Sequence, residues 1–150
     1  MLAGVAVLLC VVVALLARGG GPTPVPAPMT SSAPSAVTAE EDARLARLFS
    51  DKATGVQVEG RGEVARLLAD DEEGGRHQRF ILRLASGQTL LVAHNIDVAP
   101  RLDGLAVGEE VRFFGEYVYT EAGGTIHWTH HDPGGTHVAG WLEWNGRRYG

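Results

Sequence analysis

A cluster of imidazole side chains near the C-terminus carries most of the chain's potential chemistry. Four of the six histidines lie between His127 and His137, in the run His-Trp-Thr-His-His-Asp-Pro and the Pro-Gly-Gly turn that it enters. Imidazole can change its charge near neutral pH, and it is a common metal ligand. The run therefore predicts where the protein acts, although it does not identify the ligand or substrate.

Metal binding is the most specific hypothesis for this cluster. Zinc takes three or four ligands, with nitrogen and oxygen atoms at ~2.0–2.2 Å. In a regular strand His127 and His131 would lie about 13 Å apart on one face, too far to share an ion. The predicted site for zinc or another divalent metal therefore combines the turn with a second strand: His94, His131, Asp132 and His137. The alternative is a hydrogen-bonded histidine network that fixes the loop, because buried imidazoles need partners.

A ligand-binding face is a second interpretation of the same region. OB-type sheets stack bases or sugars on exposed aromatic rings. The predicted contact residues are His94, Asn95, Asp97, His127, Thr129, His130 and Trp141. We expect Phe113, Tyr117 and Trp128 to belong to the core instead. Trp141 and Trp144 are three residues apart in a predicted strand, so they should point to opposite faces.

Charge, cysteine content and the sequence around Ser86 make several function classes less favoured. The net charge of −5 leaves no strongly basic footprint, so nucleic acid is a disfavoured partner. The single cysteine, Cys10, lies in an apolar N-terminal run, which excludes an intrachain disulfide and a thiolate zinc site in the soluble part. Ser86 lies in a predicted turn without a Gly-x-Ser-x-Gly context, so no nucleophile is evident.

Composition divides the chain into three segments. Residues 1–18 are apolar up to Arg18 and predict a signal peptide or a membrane anchor, since a helix of this length spans roughly 25 Å. Residues 19–37 are rich in Gly, Pro, Ser and Thr and predict an extended linker. Residues 38–150 carry the folded domain. We therefore expect an extracytoplasmic protein, either secreted or periplasmic or held at the membrane by its N-terminal segment.

The folded domain is predicted to contain one helix followed by at least five strands. Thr38 and Glu41 fit a capping box for an amphipathic helix over Ala39–Lys52. Apolar alternation marks strands near residues 56–64, 80–84, 89–93, 110–119, 125–131 and 141–149. Asn145-Gly146 in the last of these is a type I′ hairpin signal.

The number of strands and the lengths of their connections predict the fold class. The long connection over Asp97–Gly108, with a short helical turn at Pro100–Leu105, is typical of an OB-type barrel. The prediction is a mainly β protein: a small antiparallel OB-like five-stranded barrel preceded by one amphipathic helix. Another small barrel or a roll remains the alternative.

Several motifs resemble one family of bacterial proteins. They are His94-Asn95-Ile96-Asp97-Val98-Ala99-Pro100-Arg101, Gly115-Glu116-Tyr117, the run from Ile126 to Pro133, Gly140-Trp141 and Asn145-Gly146. Together they resemble the bacterial domain-of-unknown-function family 3465 over roughly Gly55 to Tyr149. The resemblance implies a small exported protein with an OB-like β domain, and it supplies no catalytic residue to carry over.

Three functions follow from these observations. The first is an extracytoplasmic OB-like ligand-binding domain with a polar face rich in His and Asp. The second is a metal-dependent hydrolase such as a phosphodiesterase or nuclease, which should gather His94, His127, His131 and Asp132 in one pocket. The third is a structural or partner-docking domain, which should expose an apolar patch at Trp141 or Trp144.

Overall fold

The computed structural model describes residues 35–150. The predictions made for residues 1–34, a signal peptide or membrane anchor and most of the linker, lie outside this range. The described elements are α1 (Ala36–Ser50), β1 (Thr54–Leu67), β2 (His77–Arg83), β3 (Thr89–Asn95), β4 (Glu110–Val118), β5 (Thr125–His127), β6 (Trp141–Trp144) and β7 (Arg147–Tyr149). Among them, no helix has the length and apolar character needed to span a membrane.

The helix begins earlier than its sequence pattern predicts. Ser35, not Thr38, is the N-cap, because its side chain accepts a hydrogen bond from the backbone N–H of Thr38. Leu45 is fully buried in the core. The Asp42 carboxylate accepts a hydrogen bond of 2.7 Å from the backbone N–H of Ser86, in the turn between β2 and β3. The helix is thus fixed against both β1 and this turn.

Five of the strands close into a barrel. The hydrogen-bonded order is β1-β2-β3-β5-β4, and β4 pairs again with β1 to complete the ring. β6 and β7 extend the sheet as a hairpin beside β4. The prediction of a wholly antiparallel sheet is wrong, because β3 and β5 are parallel and make the barrel mixed.

Closure depends on the length and curvature of β1. Its residues 54–63 pair with β4, and its residues 63–67 pair with β2, so one strand of 14 residues bridges two neighbours. The two inward-facing glycines of β1 allow the close approach that this needs. A Cβ at Gly60 would lie 2.7 Å from the Phe113 ring, and one at Gly62 would lie 2.9 Å from the carbonyl oxygen of Arg83.

The connections confirm one turn prediction and correct one helix prediction. Asn145 and Gly146 both have positive φ, as a two-residue type I′ hairpin between β6 and β7 requires. The predicted helical turn at Pro100–Leu105 is absent from the described structure. The segment from β3 to β4 instead consists of turns and irregular backbone. Leu102 and Leu105 of this segment pack into the core.

The inward-facing side chains of the strands fill the barrel and form the core. Phe113 and Tyr117 are fully buried, as predicted, whereas Trp128 is 41% exposed, so its assignment to the core is wrong. The largest other side chains in the interior are Phe80, Leu45, Leu82, Leu90, Leu102, Ile126, Leu142 and His94. His94 is the one fully buried histidine in the described part of the chain, which makes its partners decisive for the fold.

Replacing Gly115 with Ala tests how tightly β4 and β5 pack. A Cβ at Gly115 would collide with the carbonyl oxygen of His127 and lie 2.9 Å from Ile126 Cγ2. We expect Gly115→Ala to lower the free energy of unfolding by about 1–3 kcal/mol, measured by urea titration. Gly134→Ala is the matched control, since its new methyl group would meet nothing closer than 3.4 Å. Equal effects of the two substitutions would contradict this packing.

Candidate functional site

His94 is built into the barrel interior at the end of β3. It lies on the inward face of that strand and is fully buried. Its Nε2 lies 3.1 Å from the carbonyl oxygen of Pro100, and its Nδ1 lies 2.8 Å from Thr129 Oγ1. A carbonyl oxygen only accepts, so the neutral ring donates from Nε2 and accepts from the Thr129 hydroxyl at Nδ1. Both ring nitrogens are therefore engaged within the protein.

Burial keeps this imidazole neutral. It lowers the pKa of His94 to about 4, because a charged ring would lose its hydration inside the barrel. The hydrogen bond to Pro100 opposes this shift but is the smaller effect. At neutral pH His94 therefore joins the β3–β4 segment to the chain that follows β5.

The histidine-rich run leaves its strand at Trp128. β5 ends at His127, and Trp128 has a φ of +52°, the left-handed conformation that residues other than Gly, Asn and Asp seldom adopt. This break ends the alternation on which the predicted faces depended, so Thr129 turns inward to His94. The chain then makes an excursion that closes where the N–H of Gly140 donates to the carbonyl oxygen of His130 over 2.8 Å.

Asp132 organises the turn within this excursion. Its carboxylate accepts hydrogen bonds from the backbone N–H of Gly134 (2.9 Å), of His137 (2.7 Å) and of Thr136. These N–H groups, that of His137 first, hold the pKa of Asp132 at about 2. The carboxylate thereby fixes the position of His137, whose Nε2 lies 3.9 Å from Asp132 Oδ1.

Trp128, His130 and His137 form what we call the indole–imidazole cluster. The ring of His137 stacks on Trp128 with 4.2 Å between centroids and 20° between planes. His130 meets Trp128 edge-on at 5.9 Å and His137 edge-on at 5.0 Å. The indole is still 41% exposed, whereas His130 is buried. The cluster thus presents a supported aromatic surface to solvent.

The two imidazoles of the cluster are held in the same tautomer. His130 Nδ1 lies 2.7 Å from the carbonyl oxygen of His131, and His137 Nδ1 lies 2.9 Å from that of Val138. Because carbonyl oxygens only accept, each Nδ1 carries the proton in the neutral ring. Within residues 35–150 neither Nε2 has a hydrogen-bond partner, and that of His137 lies 3.9 Å from the carboxylate of Asp132.

A second group of polar residues lies where β2, β3 and β5 meet on the outside of the barrel. His77 pairs with Asn95 across β2 and β3, and His127 pairs with Glu116 across β4 and β5. Burial lowers the pKa of His127, and the nearby His77 acts in the same direction. Asp97 accepts hydrogen bonds of 2.8 Å from both the backbone and the Nε of Arg76, which lower its pKa.

His77 is the member of this group that sequence reasoning missed. The predicted strand began near Phe80, whereas β2 begins at His77 and keeps its in-and-out alternation throughout. Extending that alternation back by three residues would have placed His77 on the outer face.

The ring of Trp141 is stacked against other side chains of the protein and is not a free aromatic surface. It stacks on Phe114 with 6.1 Å between centroids, and the Arg148 guanidinium lies 4.2 Å from its ring centre. Arg148 and Arg112 also form ion pairs with Glu143. Trp144 is buried, on the opposite face from Trp141 as the strand pattern predicts.

Of the four predicted metal ligands, the structure brings Asp132 and His137 together, with Oδ1 and Nε2 3.9 Å apart, but it does not gather all four at one point. Within residues 35–150 no group of three or more His, Cys, Asp or Glu side chains is arranged to hold a metal ion. His94 uses both ring nitrogens internally, and the Asp132 oxygens accept three backbone N–H groups. His131 is exposed, with its carbonyl oxygen bound to the His130 ring. The alternative to a metal site is a hydrogen-bonded network that fixes the loop. His94, Thr129 and Asp132 take part in hydrogen bonds of this kind.

Comparison with known proteins identifies the family of the chain. The model described as "Protein of unknown function (DUF3465)" matches residues 28–150. The chain belongs to this family. The match includes the helix, the whole barrel and the histidine-rich loop, which confirms the resemblance carried by the sequence motifs. A search of curated proteins finds no match.

Replacing Thr129 with Val tests the bond to His94. The substitution keeps the shape of the side chain but leaves Nδ1 of a buried imidazole without a donor. We expect the free energy of unfolding to fall by about 1–3 kcal/mol in urea titrations. Thr125→Val is the matched control, because Thr125 is also buried and its hydroxyl has no partner among the described hydrogen bonds. A smaller loss in Thr129→Val than in the control would contradict the assigned bond.

The stability of the fold should depend on pH through His94. Its pKa is about 4 in the folded chain and about 6.5 when unfolded, so the unfolded chain binds the proton first as pH falls. His94 should therefore stabilise the fold fully above pH 6.5 and progressively less down to pH 4. The slope from this group should approach about 1.4 kcal/mol per pH unit, measured by urea titration at several pH values. A His94 NMR titration with a midpoint near 6.5 would contradict this.

Proposed function

We propose that this chain is a ligand-binding domain on an OB-type barrel, and that its ligand packs on Trp128. The strand order β1-β2-β3-β5-β4, closed on β1, supports the OB assignment. So does the five-stranded ring with a long connection from β3 to β4. The location in this proposal is extracytoplasmic, secreted or periplasmic or held at the membrane by the N-terminal segment. That part rests on the apolar composition of residues 1–18.

The conformation of Trp128 is the observation that carries the proposal. A left-handed backbone costs a non-glycine residue roughly 1–2 kcal/mol, and an exposed indole forgoes the burial that usually stabilises it. Trp128 has both of these unfavourable features, a left-handed backbone with a φ of +52° and an indole that is 41% exposed. Backbone strain of this kind concentrates at functional sites, where the surrounding structure enforces it. Here the surrounding structure is the Thr129–His94 bond on one side and the Asp132 turn on the other.

The polar residues of the predicted ligand face take different parts in this proposal. His127, Asn95 and Asp97 lie on the outside of the barrel and form its polar flank together with His77. His130 belongs to the indole–imidazole cluster. His94 and Thr129 support the site from inside, and Trp141 is an internal stack, so we assign none of these three a direct contact with ligand.

The two other functions receive less support from the geometry. A metal-dependent hydrolase, such as a phosphodiesterase or nuclease, would need His94 and Asp132 free, yet both are engaged in internal hydrogen bonds. A docking domain centred on Trp141 or Trp144 would need an apolar surface there. Trp144 is buried, and Trp141 packs against Phe114 and Arg148.

NMR of the full-length chain tests the proposed surface. The three indole N–H signals are assigned with Trp128→Phe, Trp141→Phe and Trp144→Phe, and a panel of neutral, cationic and anionic ring compounds is then added. We expect binders to shift the Trp128 indole and the His137 ring together, with little change at Trp144. Trp128→Phe should weaken binding, and Trp141→Phe should not. Shifts centred on Trp141, or no shifts from any compound, would overturn the proposal.

A further inference from the structure

We infer that the open face of Trp128 receives a guanidinium group, supplied by an arginine side chain of a partner polypeptide. The flat cation would stack on the indole and would need no hydrogen bond from either imidazole of the cluster. This inference rests on the proposed function and identifies the chemical class of its ligand.

Both imidazoles of the indole–imidazole cluster lie on the same side of the indole. His137 stacks on one face of Trp128, with 4.2 Å between ring centroids and 20° between planes. The centroid of His130 lies 5.0 Å from that of His137 and 5.9 Å from that of Trp128. A ring on the other face would be farther from His137 than from Trp128, so His130 does not lie there. Neither imidazole therefore covers the second face of this tryptophan, which is 41% exposed.

Other aromatic rings of the domain carry cations of the chain itself. The Arg148 guanidinium lies 4.2 Å from the centre of the Trp141 ring, and that of Arg112 lies 5.6 Å from it. Two tyrosines each have a cation over the ring in the same way, Tyr119 with Lys52 and Tyr149 with Arg147. Within residues 35–150 no lysine or arginine lies over Trp128. A partner can therefore supply the cation that this exposed ring lacks.

The charges around Trp128 favour a cation over an anion. Residues 125–140 contain no Lys or Arg and one carboxylate, Asp132. Backbone hydrogen bonds, that of His137 first, hold the pKa of Asp132 at about 2, so this carboxylate is ionised at neutral pH. On strand β4, Glu116 is the cross-strand partner of His127, the residue before Trp128. A cation that approaches the indole is therefore attracted, and the net charge of −5 acts in the same direction at longer range.

The shape of the open face selects among cations. A single indole offers one flat surface, which a planar guanidinium covers by stacking. A quaternary ammonium group is instead recognised by cages of several aromatic rings, whereas the imidazoles that contact Trp128 lie on its other face. A guanidinium is also more weakly hydrated than the ammonium group of lysine, so it loses less hydration energy when it stacks. The chain makes this pairing internally, where Arg148 lies over Trp141.

Charge also indicates the source of the guanidinium. Free arginine carries a carboxylate of its own, which Asp132 and Glu116 would repel. An arginine residue within a polypeptide has lost that group to its peptide bond, and its neighbours in the chain can add further contacts beside the indole. We therefore expect the partner to be a polypeptide that exposes arginine.

Peptide titrations of the full-length chain at pH 8.0, followed by the indole N–H signals, test this inference. The probe is acetyl-Gly-Arg-Gly-amide. Its matched control is acetyl-Gly-citrulline-Gly-amide, whose urea group keeps the planar shape but carries no charge. At this pH an imidazole with an ordinary pKa is neutral, so protonated histidines do not compete with the probe. We expect the arginine peptide to shift the Trp128 signal and to bind about two- to fivefold more tightly than the citrulline peptide, the range of one exposed cation–π contact.

Two tryptophan variants test whether the guanidinium binds at the proposed face. Trp128→Leu retains an apolar side chain but removes the aromatic ring, so the preference for arginine over citrulline should disappear. Trp141→Leu is the matched control, because the Trp141 ring already carries two guanidinium groups of the chain, and it should retain the preference. Affinities are measured from the His137 ring signal, and the dispersed amide signals of the barrel strands report that each variant is folded. Loss of the preference in Trp141→Leu alone would contradict the inferred face.

The outcomes separate this inference from the proposed function. If the arginine and citrulline peptides bind equally, or if only neutral or anionic ring compounds shift Trp128, the guanidinium assignment is overturned while the binding surface stands. If free L-arginine binds as tightly as the arginine peptide, the polypeptide source is wrong. If no peptide and no ring compound shifts Trp128, both the inference and the proposed function fail.

Discussion

The neutral imidazole of His94 is the constraint on which the loop and its exposed tryptophan depend. A polar ring in the centre of a small barrel is tolerated only when both nitrogens have partners. Here those partners come from two connections, Pro100 after β3 and Thr129 after β5. Satisfying the imidazole therefore draws both segments to the same end of the barrel. Because Thr129 must point inward, its neighbour Trp128 is directed outward, and the left-handed backbone at Trp128 is the local consequence.

The Asp132 turn fixes the rest of the loop, whose start is fixed by the bond between His94 and Thr129. A carboxylate that accepts three backbone N–H groups imposes a single path on the residues around it, and this path returns His137 to the Trp128 ring. The return of Gly140 to His130 then places the chain at the start of β6. A Cβ at Gly140 would collide with the carbonyl oxygens of Trp128 and Phe114, so this closure requires glycine. The polar residues of the motif thus have two roles: some fix the loop through hydrogen bonds, and others belong to its exposed surface.

Local patterns predicted the helix, the strands and the Asn145-Gly146 hairpin, because each depends on neighbouring residues alone. The parallel pairing of β3 with β5 is a contact between distant segments that involves only two residues of the short strand β5, so it left no local signal. The end of β5 was missed because Trp128 is not a residue that usually marks positive φ. The role of His94 could not be predicted from the sequence, since its two partners, Pro100 and Thr129, come from other segments. His130 and His137 bond to the carbonyl oxygen of the next residue, but their packing against Trp128 depends on the path of the loop.

Rigidity is the property of this small surface that best supports the binding proposed for it. The indole is held by a stacked imidazole, that imidazole by a carboxylate-centred turn, and the start of the loop by a buried hydrogen bond. A ligand arriving at Trp128 would order few side chains, and the entropy lost on immobilising them is one of the main costs of association. Stacking on a single aromatic ring contributes about 1–3 kcal/mol where it has been measured for nucleobases. One well-supported aromatic ring of this kind would therefore suit weak recognition of a flat ligand at little cost in side-chain entropy.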